Sequence, residues 1–248
     1  MASSRFAYLA SLLAFIALWA CLALVLNQPD TLPSPFRVAA IAAHEAKSGE
    51  LGFHVAATLA RVAAAFALAM GFGVAIGLAL GLWRRLDDWM GPWVIVFLNI
   101  PALVVIVLAY LWIGLTEVAA IAAVAINKFP MVVVTVREGA RRLDPTLDDI
   151  AHVFRFSRWR RLRHVIAPQL APYIAASARN GLAIIWKIVL VVEFLGRSNG
   201  VGFQIHLYFQ LFEIGHVMAY AFSFVAIVLA LDLAAGLLPG RKAQMTAA

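Results

Sequence analysis

The chain has 248 residues, of which 64% are hydrophobic and only 13% charged, with a mean hydropathy of +0.90. A water-soluble domain of this length carries nearer ~25% charge, so the composition excludes an ordinary soluble globule. The formal net charge is +7, but the cations gather in a few loops between apolar runs, which fits membrane orientation and excludes a nucleic-acid partner.

The first apolar run, Phe6 to Leu26, is long enough to cross a hydrocarbon layer. Its Leu18-Trp19-Ala20-Cys21 stretch faintly resembles a lipoprotein cleavage site, yet apolar residues continue beyond it. We therefore expect a retained anchor with Cys21 as a buried helical thiol. Cys21 is the single cysteine, so no intrachain disulfide is expected. From Asn27 to Phe53 the chain holds Pro29, Pro33 and Pro35, then helical alternation from Phe36 to Lys47. This is either a short interfacial helix or a connector.

A second span is expected from Ala56 to Trp83, with Gly73, Gly77 and Gly81 at four-residue spacing and Gly71 nearby. One helical face there lacks side chains, so a neighbouring helix can approach closely. A third span, Trp89 to Ile113, is interrupted by Asn99-Ile100-Pro101, and a fourth, Val118 to Val136, by Asn127-Lys128-Phe129-Pro130. Proline in a membrane helix frees a carbonyl and bends the axis, tolerated where protein or a water-filled cavity satisfies that group. Two bends at one depth beside a lysine mark either a pathway wall or plain structural kinks.

The basic stretch from Arg137 to Ala167 is patterned. Asp144-Pro145 has helix-start chemistry, and Leu147, Ile150, Ala151 and Phe154 then form an apolar stripe. Ser157 caps a second helix carrying Trp159, Leu162, Val165 and Ile166, so the expectation is a helix, a turn, and a helix ending at Pro168. Such a hairpin lies against anionic headgroups or presents a rigid knob to a soluble partner.

Spans five and six are expected at Pro168 to Val192 and Val217 to Leu238. In span five Arg179, Trp186 and Glu193 are spaced by seven, placing them nearly on one face, with Asn180 and Lys187 on an adjacent stripe. Charges facing lipid at mid-depth cost about 3 kcal/mol each. These groups, and Lys128, therefore line a passage suited to an anion, or pair with one another or snorkel to an interface.

Arg5, Arg84, Arg85, Arg137, Arg141, Arg142, the arginines from 155 to 163, Arg241 and Lys242 fall on one side of this map. The other side holds Arg37, Lys47 and Arg197. That asymmetry places both termini in the cytoplasm. The expected organisation is an N-terminal span (1–27), an outer connector (28–53), a core of five spans (54–238) containing the loop at 143–167, and a cytoplasmic tail (239–248).

At this point the residues carry a resemblance. Asp149-Ile150-Ala151, Ser157 and the helix closing on Ala167-Pro168, with Pro172 after it, resemble the EAA loop of ABC importer permeases. The sulfonate, taurine and nitrate branch is resembled by Thr58-Leu59-Ala60-Arg61, Ile100-Pro101-Ala102, Leu111-Trp112-Ile113-Gly114, and Phe129-Pro130 with Gly139. Gly181 to Trp186, Glu193 and Asn199-Gly200-Val201-Gly202 continue it, over roughly His54 to Asp232.

The resemblance implies the all-α, six-helix type I ABC importer permease fold in a bacterial inner membrane. It further implies pairing with a second permease, two ATP-binding subunits and a periplasmic binding protein. Asp149, Ile150, Ala151, Phe154, Arg155, Ser157, Arg158 and Pro168 would engage the ATPase. Arg160, Arg161 and Arg163 read as headgroup-level positive-inside residues. Asn99, Pro101, Asn127, Lys128, Arg179, Asn180, Trp186, Lys187 and Glu193 are the candidate pathway. The family usually has Glu at the position of Asp149 and Gly at that of Arg155. Either the turn differs here, or Arg155 makes a contact that offsets the strain.

No phosphate-binding loop of the G-x-x-x-x-G-K type occurs, so ATP and Mg are expected on the partner ATPase and no cofactor on this chain. A secondary transporter would be expected to hold mid-span acids, and the expected spans contain none. His44, His54, His152, His164, His206 and His216 show no metal-ligand spacing, which argues against an embedded enzyme.

Overall fold

The computed structural model describes residues 2–236, with side chains from residue 10 to residue 231. The side chain of Arg5, the end of the sixth expected span, Arg241, Lys242 and the tail at 239–248 lie outside the described residues. Every regular element described is helical: α1 (Ala2–Leu26), α2 (Pro35–Ser48), α3 (Glu50–Leu82), α4 (Arg84–Asn99), α5 (Ala102–Ile113), α6 (Glu117–Ala140), α7 (Pro145–Val153), α8 (Arg158–Arg161), α9 (Ala167–Gly196), α10 (Val201–Gln210) and α11 (Ile214–Gly236). Among the described residues, four helices are long and apolar enough to cross a membrane: α3, α6, the run Arg158–Gly196, and α11 over Ile214–Leu231. The α4–α5 pair makes a fifth if it is one bent span.

The chain divides into two compact units, one of residues 58–198 and one of residues 1–57 with 199–248. In the first, α6 is the central helix, packed by α9, α5 and α4. The glycine stripe of α3 lies against it: a Cβ on Gly77 would stand 2.7 Å from the Val133 carbonyl oxygen and 2.9 Å from Val136 Cβ. Gly73 is as tight against Val132, whereas Gly71 faces open space. The core follows from that approach, with Val132, Val136, Ala140, Ile166 and Leu170 buried under Met70, Val74 and Leu78. Dispersion contacts at this density, with no side chain at the glycine positions of α3, hold membrane helices together where water does not drive them.

Three expectations change at element scale. The third span is a break and not a kink: α4 and α5 meet at 95°, because Pro101 cannot donate backward and holds Ile100 extended, at φ −71° and ψ 124°. The fourth span, by contrast, carries Pro130 inside one continuous helix. The second loop helix does not end at Pro168. It passes through a π-helical turn, Leu162–Ile166, into α9, where the Ala167 amide donates to Leu162. The wider turn absorbs the amide that proline lacks, so one helix runs from 158 to 196.

In the other unit, α2 is a helix, capped by the Ser34 hydroxyl at the Arg37 amide and closed by Gly49 at φ 89°. It packs on α11, which also meets α10. Tyr220 donates to buried Glu45 at 2.7 Å, and the Gly200 amide donates to His54 Nδ1 at 3.0 Å. Trp19 ties α1 to the connector through the Pro33 carbonyl at 3.1 Å. Cys21 is exposed and not buried, since α1 packs through the Trp19 and Ala23 side.

Candidate functional site

Three groups of residues in the 58–198 unit carry the chemistry. The first is the hairpin between α6 and α9. Asp144 caps α7 through the Thr146 amide at 2.8 Å, and Ser157 caps α8 through the Arg160 amide at 3.3 Å. Between them Arg155 adopts φ 51°, its amide donating to the His152 carbonyl at 3.0 Å and the Phe156 amide to that of Ala151 at 2.9 Å. This is the paired closure of a Schellman motif, the geometry glycine normally serves. The turn is therefore retained with an arginine in it, and the exposed Arg155 side chain makes no ion pair among the described residues. Arg161 clamps α8 to α7 through a two-point pair with Asp148, Nη2 at 2.7 Å. Arg160 lies 5.6 Å over the Phe156 ring.

The hairpin exposes Ile150, Val153 (79%) and Phe154 (69%), together with Asp149, Arg155, Ser157, Arg158, Arg163 and Pro168. Ala151 is the departure: at 2% exposure it faces inward, so it cannot be part of an outer contact surface. Arg161, expected at headgroup level, is instead a partly buried brace.

The second group lies at the opposite end of the unit. Arg61 of α3 donates to Glu117 at 2.6 and 2.8 Å and to Glu193 at 2.7 Å. Thr58 donates to Glu193 at 2.9 Å, and Arg197 to Glu117 at 2.8 Å and to the Leu115 carbonyl. Two guanidiniums and two carboxylates thus balance, with Glu193 wholly buried and Arg61 at 4% while Glu117 is exposed, joining α3, α6 and α9. The paired reading of Glu193 is the one observed, though its partner is Arg61 and not a residue of its own helix. Glu193 also lies inside α9, one residue beyond the expected end of the span at Val192. The signal that could have found the pairing was Arg61 itself, a lone cation in an apolar run.

The third group is the central stretch. Lys128 is 3% exposed. Its Nζ lies 2.7 Å from Met131 Sδ, with no carboxylate in pairing range among the described residues. Lys128 lies beside Gly181 of α9, where a Cβ would stand 3.6 Å from Cε, an ordinary van der Waals contact. Ser177, one turn back on α9, is buried with no hydrogen-bond partner for its hydroxyl among the described residues. Asn127 reaches the Ile100 carbonyl at 3.5 Å and Asn99 that of Ile95 at 2.7 Å, while Pro101 is exposed at the break.

Arg179, Asn180 and Lys187 are exposed on α9, but Trp186 and Glu193 are buried. A seven-residue step falls about 20° short of two full turns, so the boundary between open and packed faces passes between Arg179 and the other two.

Residues 69–243 match the model of the family described as binding-protein-dependent transport system inner membrane component. The chain belongs to this family. The permease is 29% identical over 77% of its length to a protein named as an aliphatic sulfonates transport permease, SsuC of Bacillus subtilis, covering 69% of that relative. It is 32% identical to the riboflavin transport system permease protein RibX of Chloroflexus aurantiacus, covering 84% of this chain and 77% of RibX. The nitrate import permease protein NrtB of Synechococcus elongatus is 24% identical, with coverage of 80% and 74%. Among solved structures, a chain of the inward-facing MetNI methionine ABC transporter superposes with a TM-score of 0.65 at 17% identity. The match covers 77% of the permease and 94% of that chain. The fold is thus that of an ABC importer permease, and the chain is a multi-pass inner-membrane component of a binding-protein-dependent transport system.

Proposed function

We propose that this permease, paired with a second permease chain, lines the pathway for a small anionic solute handed over by a periplasmic binding protein. The observation that carries the reading is the face of α9 holding Arg179 and Lys187. Both are exposed within a membrane-spanning helix and have no acidic partner among the described residues. Left against lipid, each would cost about 3 kcal/mol. A second subunit and a water-filled passage remove that cost, and cations lining it favour an anion. The buried Lys128 adds to the same field. Two of the relatives are named for anions, sulfonates and nitrate.

The chain has no phosphate-binding loop, so ATP and Mg belong to two separate ATP-binding subunits. The hairpin of α7 and α8 is the handle for them: Ile150, Val153 and Phe154 supply apolar contact, and Asp149, Arg155, Ser157 and Arg158 fix register. The Asp148–Arg161 clamp keeps the handle stiff enough to transmit a push. With α1, the α4–α5 pair and the four long helices as six spans, both termini and the hairpin share the cytoplasmic side.

Uptake of sulfonate or nitrate into proteoliposomes is expected to require the ATPase, ATP and the binding protein together. Uptake that persists without the ATPase would overturn the reading. A cysteine at Phe154 is expected to crosslink to the ATPase, whereas labelling only by lipid-phase probes would assign the hairpin to headgroups. Arg155→Gly is expected to keep the turn and raise stability by up to about 1 kcal/mol, while transport-linked ATP hydrolysis falls. Unchanged coupling would remove Arg155 from the contact.

A further inference from the structure

The junction of α3 and α4 holds a surface that neither the hairpin nor the pathway uses. The apolar span of α3 ends at Leu82, Trp83 is extended at φ −116° and ψ 96°, and α4 starts at once with Arg84 and Arg85. An open groove of about 950 Å³ lies here, lined by Trp83, Arg84, Arg85, Leu86, Trp89 and Met90. Trp83 is 64% and Trp89 80% exposed, so two large rings stand uncovered beside two exposed guanidiniums.

The neighbouring charges do not neutralise this pair. Asp87 is buried and held by Arg137, at 3.0 Å, and by Arg141. Asp88 is exposed but lies outside ion-pairing distance of both Arg84 and Arg85 among the described residues. The groove therefore offers two unpaired forked donors above an apolar floor, at the level where the chain leaves hydrocarbon.

From this juxtaposition we infer that the α3–α4 elbow is a binding site for one anionic phospholipid. Arg84 and Arg85 hold the phosphate, and an acyl chain lies on Trp83, Trp89 and Met90. Guanidinium donors match phosphate oxygens in two-point geometry, and tryptophan rings sit at the headgroup boundary, where one edge is apolar and the other wet. A zwitterionic lipid keeps the apolar half of this contact but loses the charge match, since its own cation faces the arginines. A soluble anion keeps only the phosphate half.

The test uses the full chain in nanodiscs of phosphatidylcholine containing a minor fraction of brominated phosphatidylglycerol, with brominated phosphatidylcholine as the matched control. Tryptophan fluorescence is expected to be quenched at several-fold lower mole fraction by the anionic lipid. The part of the signal lost in Trp83→Phe/Trp89→Phe is expected to carry that preference. Arg84→Gln/Arg85→Gln is expected to weaken the preference by about tenfold or more. Arg84→Lys/Arg85→Lys is expected to retain much of it and serves as the check that the elbow is folded. Equal quenching by both lipids in the native chain would overturn the site, as would displacement of the anionic lipid by millimolar inorganic phosphate. Loss of the preference when the ATPase is bound would reassign the elbow to that partner.

Discussion

At the scale of single residues, the clearest lesson is what a buried charge requires. Arg61 and Glu193 were each visible in the sequence as a charge in an apolar run, but 132 positions separate them, and no periodicity links two helices that meet only in the fold. Their pairing makes a direct prediction. Glu193→Gln leaves buried Arg61 with the exposed Glu117 alone, and breaking a buried pair costs about 3 kcal/mol or more. Thermal unfolding of the purified permease is expected to shift down accordingly, and an unchanged midpoint would mean that the network contributes no stability. Arg155 shows the converse. Glycine would be expected there because the turn needs a left-handed residue, and the structure keeps that conformation, at φ 51°, with the arginine in place. Capping on both sides and two closing backbone bonds determine the turn more strongly than one residue's preference does.

At the scale of elements, apolar length and glycine spacing located most helices, because both are local properties of one chain segment. The four-residue glycine repeat of α3 carries a prediction with its own control. Gly77→Ala places a methyl 2.7 Å from the Val133 carbonyl, so α3 and α6 must separate, at about 1–3 kcal/mol. Gly71→Ala meets nothing within 4 Å and is expected to be neutral or slightly stabilising. A scan of thermal stability in detergent distinguishes the two, and equal effects would remove close approach as the reason for the repeat. Prolines were harder to read. Pro101 breaks its span through 95°, Pro130 stays inside a continuous helix, and Pro168 is absorbed by a π-helical turn. The residue is the same each time, and what differs is whether the neighbouring turns can re-satisfy the freed carbonyl.

At the scale of the whole molecule, the proposed orientation follows from where cations fall in the loops. In a Cys21→Ser background, a cysteine at Ser48 is expected to react with an impermeant maleimide from outside, and one at Ser157 only after permeabilisation. The reverse pattern would invert the topology. Membrane residence, the helical class and family membership were all legible in the sequence, because hydrophobic length, loop charge and motif order are written along one dimension and need no partner helix. The hairpin was legible for the same reason, as its caps and stripe are local, although its second helix did not stop where proline seemed to end it. Tertiary structure alone decided which charges are neutralised: Glu193 by Arg61, Asp148 by Arg161, Asp87 by Arg137 and Arg141. It alone turned Ala151 inward and left Arg179 and Lys187 on the open side of α9. The reason is physical, since the cost of a charge depends on what surrounds it, and in a helical membrane protein those surroundings come from segments far away in the chain.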